Sequence, residues 1–319
     1  MVRRYFIPYF GDKAIDAIRD ADVVRYLEWR KNYWITGPGA GIEFLKYERN
    51  GKTIKRPVTD MKRTPSLSSQ KGEAVILRQL FSQAAKWGYV GRGLIPEVKT
   101  TKVPPSPRPS FSMDEMQSLL RLAEQRMTAP DVNDEVRRDR TMLYAYVVIA
   151  AHTGMRPPEL KAMNWGDVLG YKASQGTKVG ERDVELRARG KGKQRTFVPQ
   201  LAALPAFDML WTLWLMDHDG EEPQEEDAVF SNKAGKRLVS QHKALNSLLD
   251  AAKLRYTPEG KKRDSYSFRH FYISEQLRAG VDVFLLARNT GTSPDMIDKH
   301  YGQVQTTGMK DQLRPRWVA

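Results

Sequence analysis

Three short stretches carry residue types that could act on a phosphodiester. "AHTGMRPPEL" sets Arg156 just after a glycine that ends an apolar helix and just before two prolines, which fixes the direction of the guanidinium. "YSFRHF" places Arg269 in a helix among Tyr266, Phe268, Phe271 and Tyr272. A guanidinium in so apolar a setting needs an anionic partner. "MIDKHYGQV" sets Tyr301 between a basic dipeptide and a glycine. Guanidinium forks match phosphate oxygens and do not deprotonate. A phenol, with a pKa of about 10, becomes a nucleophile only where its site activates it. The structural alternatives are an ion pair of either arginine with Glu159 or Asp167, and plain packing for Tyr301.

Other chemistries are less well supplied. The chain contains no cysteine, which excludes disulfides, thiol catalysis and cysteine zinc sites. It has neither a P-loop nor a glycine-rich dinucleotide fingerprint. Its five histidines, His152, His218, His242, His270 and His300, form no metal-ligand pair. His218 in "MDHDG" reads as a polar helix end. No cluster of carboxylates suits a two-metal nuclease.

The charge points to a polyanion. The 319 residues carry a net charge of +14 with a pI near 9.7. Residues 1–109 hold 21 Lys and Arg against 10 Asp and Glu, net +11; the rest holds 31 against 28, net +3. The densest part, "NGKTIKRPVTDMKR", supplies Lys52, Lys55, Arg56, Lys62 and Arg63 as candidate DNA-phosphate contacts, a solvated loop being the alternative. No run of apolar residues is long enough to span a bilayer, and the start lacks the apolar core of a signal peptide.

These groups must be held by a mainly helical chain. Ile15, Ile18, Val23, Tyr26 and Leu27 predict a helix in "DKAIDAIRDADVVRYLEWRKNYW". Ile76, Leu80, Ala84 and Trp87 predict another, stopped by Gly88. "TTKVPPSPRPS", with four prolines, reads as an extended linker. The expected domains are therefore 1–103, a linker at 104–110, and 111–319. Beyond the linker, Ser112 and Glu115 form a capping box, and "RTMLYAYVVIAAHTG" is a buried helix. "DVELRARGKGKQRTFVPQ" reads as strand, turn and strand, and "DAVFSN" as a short strand. "LAALPAFDMLWTLWLMDHDG", "SQHKALNSLLDAAKL" and "SYSFRHFYISEQLRAG" are predicted helices, followed by two short ones in "VDVFLLARNTG" and "SPDMIDKHYG".

In this order the motifs resemble the tyrosine recombinases, or phage integrases. "HTGMRPPELKAMNWGDV" is similar to the family's first box, with Arg156 as its arginine and Glu159 as the acidic residue that follows. "RGKGKQRTFVP" resembles the family's β-hairpin, with Lys191 at the place of its lysine. "YSFRHFYISEQLRAGVDVFLLARNTGTSPDMIDKHYGQV" resembles the second box through to the nucleophile, matching Arg269 and Tyr301. The opening "YFIPYFGDKAIDAIRDADVVRYLEWR" looks like the start of a core-binding domain, almost at Met1, ahead of which integrases often carry an arm-binding domain. Two positions depart from the pattern: Tyr266 stands where a histidine is usual three residues before the second arginine, and Thr292 where His or Trp is usual nine residues before the tyrosine. Both hydroxyls donate hydrogen bonds, but neither carries a proton at neutral pH as imidazole does. His270 and His300 are the imidazoles close enough in sequence to compensate.

The resemblance implies a mainly α fold with a small antiparallel β-sheet: a helical core-binding, DNA-clamping domain and an α+β catalytic domain. It implies site-specific cleavage and rejoining of duplex DNA through a 3′-phosphotyrosyl link, for integration or excision of a mobile element, without metal or other cofactor. The implied catalytic set is Arg156, Lys191, Tyr266, Arg269, Thr292 and Tyr301, with Lys191 as general acid and Lys193 as its rival. The implied partners are a double-stranded recombination site, three further copies in a tetramer on paired sites, and a directionality or host DNA-bending factor, with no membrane. The implied setting is the cytoplasm of a bacterial or phage-infected cell, at the nucleoid. The tail "TTGMKDQLRPRWVA", with Leu313 and Trp317, is expected to dock on a neighbouring copy or on its own domain. A DNA-binding regulator of the same fold with a weakened site, and a topoisomerase-like or telomere-resolving enzyme of the same chemistry, are the alternatives.

Overall fold

The computed structural model describes residues 1–49, 51–58, 64–99, 109–190 and 193–308, with Arg49, Lys193 and 303–308 described by backbone alone. The chain divides into two compact units, Met1–Pro104 and Pro105–Ala319. Lys62, Arg63, Lys191, most of the expected linker, and Leu313 and Trp317 of the tail lie outside the described residues.

In the first unit a π-helical turn (Val2–Phe6) runs into α1 (Ile7–Phe10), and α2 (Asp20–Asn32) follows. The apolar period places the start of α2 near residue 12, but Ile15–Ala17 forms only a 3₁₀ turn. The cap decides the true start: Arg19 is extended, and its backbone N–H donates to the Asp22 carboxylate. α3 (Leu67–Lys86) forms as expected, with Ser66 as N-cap. Its buried stripe is Ala74, Leu77, Phe81 and Ala84, whereas Leu80 and Trp87 face outward. The sequence period finds the helix but rotates its face. Ala74, Leu77 and Phe81 of that stripe meet Tyr5, Phe6, Phe10 and Tyr26 in one core. Across it, the Tyr26 hydroxyl and the Arg30 guanidinium both donate to buried Glu73, which ties α2 to α3.

Where it is described, at 51–58, the basic stretch is largely strand rather than loop. Between α2 and α3, β1 (Phe44–Arg49) and β2 (Lys52–Pro57) form a two-stranded antiparallel ribbon whose turn includes Gly51 at φ 69°. The expected helical domain thus carries a β-ribbon as well.

The second unit is built around α5 (Asp134–Thr153), buried along most of its length. α4 (Met113–Thr128) precedes it, opened by the reciprocal Ser112–Glu115 box. The short α6 (Pro157–Ala162) leads to a three-stranded sheet of order β3-β4-β5, from β3 (Val168–Leu169), β4 (Glu185–Gly190) and β5 (Lys193–Phe197). Leu186 pairs with Phe197 and Gly190 with Lys193; Leu186, Ala188 and Phe197 face the core. Then come α7 (Leu204–Asp217), with Pro205 in its first turn, α8 (His242–Ala251), α9 (Tyr266–Arg278), α10 (Val283–Thr290) and α11 (Pro294–Gly308). α4, α7 and α9 pack on α5.

Two expectations are corrected here. "DAVFSN" is not a strand: Ala228 and Ser231 make only isolated bridges, to Asn164 and Arg237. The last helix runs to Gly308, so Tyr301 lies inside it rather than at its end. His218 stacks on Trp214 with ring centroids 4.0 Å apart, at the end of α7. Among the described residues no helix is long and apolar enough to cross a membrane.

Candidate active site

Arg156 is positioned by backbone chemistry on both sides. α5 ends at Gly154, which is left-handed at φ 59° and packs so closely on Tyr272 that a Cβ would lie 2.3 Å from the ring. Pro157 then confines Arg156 to an extended backbone (φ −68°, ψ 142°), and its N–H donates to Glu159 at 3.1 Å. The guanidinium donates to Glu159 Oε1 at 2.8 Å and to the carbonyl of Gly291. The side chain remains 37% exposed, so a ligand can reach it.

Arg269 reaches the same place from α9. It is 6% exposed and donates to the carbonyl of Gly154 at 2.6 Å. Among the described residues it makes no ion pair, although Glu159 is near enough to act on it electrostatically. Burial first, and the like charge of Arg156 second, pull it down to about 10. It stays a cation at neutral pH, poorly compensated and close to a second cation. Such an arrangement favours an incoming anion.

Tyr301 closes the group. It is 9% exposed, packed with Tyr272, Ile273, Leu286 and Ile297. Its hydroxyl hydrogen-bonds to Nδ1 of His270, itself buried one residue beyond Arg269. His270, one of the two histidines considered from sequence, thus bonds the tyrosine hydroxyl through a ring nitrogen from α9. Which partner donates depends on the imidazole tautomer.

The two departures from the usual pattern fall at the edges. Tyr266, in the first turn of α9, is 38% exposed and lines a cleft of about 530 Å³ with Pro157, Lys161 and His242. Its backbone N–H is taken by Asp264. Thr292, half-buried, directly follows Gly291, the left-handed residue (φ 65°) that ends α10 and accepts from Arg156.

Sequence reasoning missed Arg195. From β5 it donates to both oxygens of Glu159, at 3.0 and 2.9 Å, and to the carbonyl of Asn289 at 3.3 Å. Its guanidinium lies so close to Gly291 that a Cβ there would fall 2.8 Å from it. Asn289 in turn exchanges hydrogen bonds with the backbone of Val198. Burial raises the Glu159 carboxyl, but hydrogen bonds from Arg195 and Arg156 outweigh it and hold it at about 2. Glu159 therefore stays ionised and ties the hairpin, the Arg156 turn and the turn after α10 together. Nothing in the spacing of Arg195 marks it; the family-like "RTFVP" is the nearest signal.

The description of the phage integrase family matches residues 110–307. This chain belongs to that family. Membership places it among the tyrosine recombinases, which break and rejoin DNA. No protein of curated function matches the chain. Solved structures similar to this integrase-family chain include the XerH site-specific recombinase bound to palindromic difH substrate in a post-cleavage complex (16% identity, 97% of this chain and 76% of that one, TM-score 0.61). A second is the Tn1549 transposon integrase with circular intermediate DNA (15%, 98% and 90%, 0.58). A third is a lambda integrase dimer on a COC′ core site (14%, 99% and 88%, 0.57). At these identities the likeness establishes the fold.

Proposed function

We propose that the protein is a site-specific recombinase that cleaves and rejoins duplex DNA through a 3′-phosphotyrosyl intermediate, in the integration or excision of a mobile element. The carrying observation is Arg269: a buried guanidinium with no ion pair among the described residues, beside half-exposed Arg156 and close to the Tyr301 hydroxyl. Both cations would bind the scissile phosphate and stabilise the charge of the five-coordinate state. Tyr301 Oη would attack phosphorus in line while its proton passes to His270 Nδ1. The bond from phosphorus to the 5′-oxygen breaks, and that oxygen takes a proton from Lys191, or from Lys193 as the rival acid. Tyr266 and Thr292 would donate hydrogen bonds to phosphate oxygens. The phosphotyrosyl bond conserves the energy for rejoining, and no step calls on a metal or a nucleotide. Lys52, Lys55, Arg56, Lys62 and Arg63 would contribute phosphate contacts from the first unit, and four copies would act on paired sites in the cytoplasm.

The test is covalent trapping on a pool of nicked suicide duplexes, followed by sequencing of the trapped DNA. The native chain is expected to form a protein–DNA adduct and Tyr301→Phe none. A native chain that binds duplex but is never trapped would instead be a DNA-binding regulator, the reading that Tyr266 and Thr292 favour.

A further inference from the structure

Arg195 stands where a strand facing a core normally carries an apolar residue. It lies opposite Ala188 in the β4–β5 register and two residues before Phe197, both buried, so it belongs to the inward face of the hairpin. Its side chain is 19% exposed, with the guanidinium carbon 5.1 Å from the centre of the Phe197 ring. A guanidinium so placed needs a carboxylate, and buried Glu159 is the one it meets.

The two arginines use Glu159 differently. Arg195 grips both carboxylate oxygens with its fork, at 3.0 and 2.9 Å. Arg156 reaches one oxygen with one guanidinium nitrogen, at 2.8 Å, and the other only through its backbone N–H. Its second guanidinium nitrogen turns away, to the carbonyl of Gly291. Burial works against the charged carboxyl, and Arg195 does more than Arg156 to keep it ionised. Among the described residues, Arg156, Arg195 and Arg269 thus bring three positive charges to a single carboxylate. Two are left over. That surplus matches the double negative charge of a phosphodiester attacked by a phenolate, the state that fixed cations must balance.

We propose that Arg195 is a positioning residue that occupies Glu159, so that Arg156 and Arg269 both keep their charge for the scissile phosphate. This rests on the reading that the site binds that phosphate. Without Arg195, two acceptor positions on a buried carboxylate fall open, and Arg156 is the cation still bonded to it. The fork of Arg156 then closes on Glu159 as that of Arg195 does now, and the half-exposed guanidinium is lost to an internal ion pair. Removing the carboxylate as well frees Arg156 again. The dependence is one of charge balance, and Arg195 exerts it without touching the phosphate.

The experiment compares the native full chain with Arg195→Met and with the double variant Arg195→Met/Glu159→Gln. Each is trapped on nicked suicide duplexes and unfolded in urea with and without orthovanadate. Vanadate, an oxyanion that accepts a fifth ligand, reports on the same cations without DNA. Arg195→Met is expected to trap at least ~100-fold more slowly than the native chain, and to lose most of the rise in urea midpoint that vanadate gives it. The double variant buries no unpaired charge, and the glutamine amide still accepts from the Arg156 backbone N–H, so folding is kept. It is expected to trap within ~10-fold of the native rate and to regain the vanadate rise. A double variant as slow as Arg195→Met overturns the proposal, because Arg195 is then a scaffold or meets the phosphate itself. Native-rate trapping by Arg195→Met overturns it too. If the native chain is trapped and the double variant is not restored, the strand-transfer reading stands and this one falls. If no duplex traps the native chain but the vanadate rise is lost and regained across the three proteins, charge balance stands and the strand-transfer reading falls.

Discussion

Replacing Arg269 with methionine separates a phosphate-site arginine from a structural one. The guanidinium is pulled well below its ordinary value, down to about 10, by burial first and Arg156 second. At about 1.4 kcal/mol per pH unit, keeping this cation in the free protein costs roughly 3 kcal/mol. For a base with a lowered folded pKa that penalty is in full force below about pH 10 and fades above it, so a measurement at neutral pH reads it whole. Arg269→Met removes the penalty and forfeits the hydrogen bond to Gly154, worth about 1.5–3 kcal/mol for a charged donor. The two nearly cancel. Arg263 is the internal control. It is 4% exposed and bonds the carbonyls of Ser110 and Leu254 and both oxygens of Glu115. Arg263→Met leaves those acceptors without their donor and is expected to cost about 3–5 kcal/mol. Urea unfolding gives stability and covalent trapping gives chemistry. Arg269→Met is expected to unfold within about 1–2 kcal/mol of the native chain while trapping falls at least ~100-fold. If it is as damaging to stability as Arg263→Met, Arg269 is a structural residue and the reasoning fails.

Two further outcomes follow from the same site. Glu159 titrates folded at about 2, below its ordinary 4.5, so its contribution to stability is whole above about 4.5 and is lost as pH falls towards 2; urea midpoints across that window should fall more steeply for the native chain than for Glu159→Gln, and parallel curves would disprove the link. His270→Asn keeps a hydrogen-bonding atom near Nδ1 but cannot take a proton at neutral pH, so DNA binding should persist while trapping at pH 7 slows at least ~100-fold and recovers as pH rises towards the phenol's own range. Trapping equal to the native rate would reduce His270 to a prop.

Much of the fold was legible because its signals are local. Ser112 and Glu115 announce a helix start by reciprocal capping, and Gly154 before Arg156-Pro157 announces a stop and a fixed turn. The β4–β5 hairpin showed in its glycines. The β1–β2 ribbon also had its signal, the Asn-Gly pair at 50–51, but the density of charge around it drew attention to phosphate contact and left the strands unread. The α3 face was misjudged because Leu80 and Trp87 fit the helical period while being left outside. Periodicity reports which residues share a face, and burial depends on what comes to cover it.

The sequence by itself determined the chemical inventory: two arginines, a tyrosine and a lysine-bearing hairpin in a known order, each set at a turn or helix by its immediate neighbours. Only the tertiary structure decided how their charges are balanced. Arg195 reaches Glu159 from 36 residues away, and His270 meets Tyr301 across 31. Backbone conformation is set within a few residues, so it can be read along the chain. The partner of a buried charge or a reactive hydroxyl is whatever the fold returns to it, and that is fixed only when the helices pack.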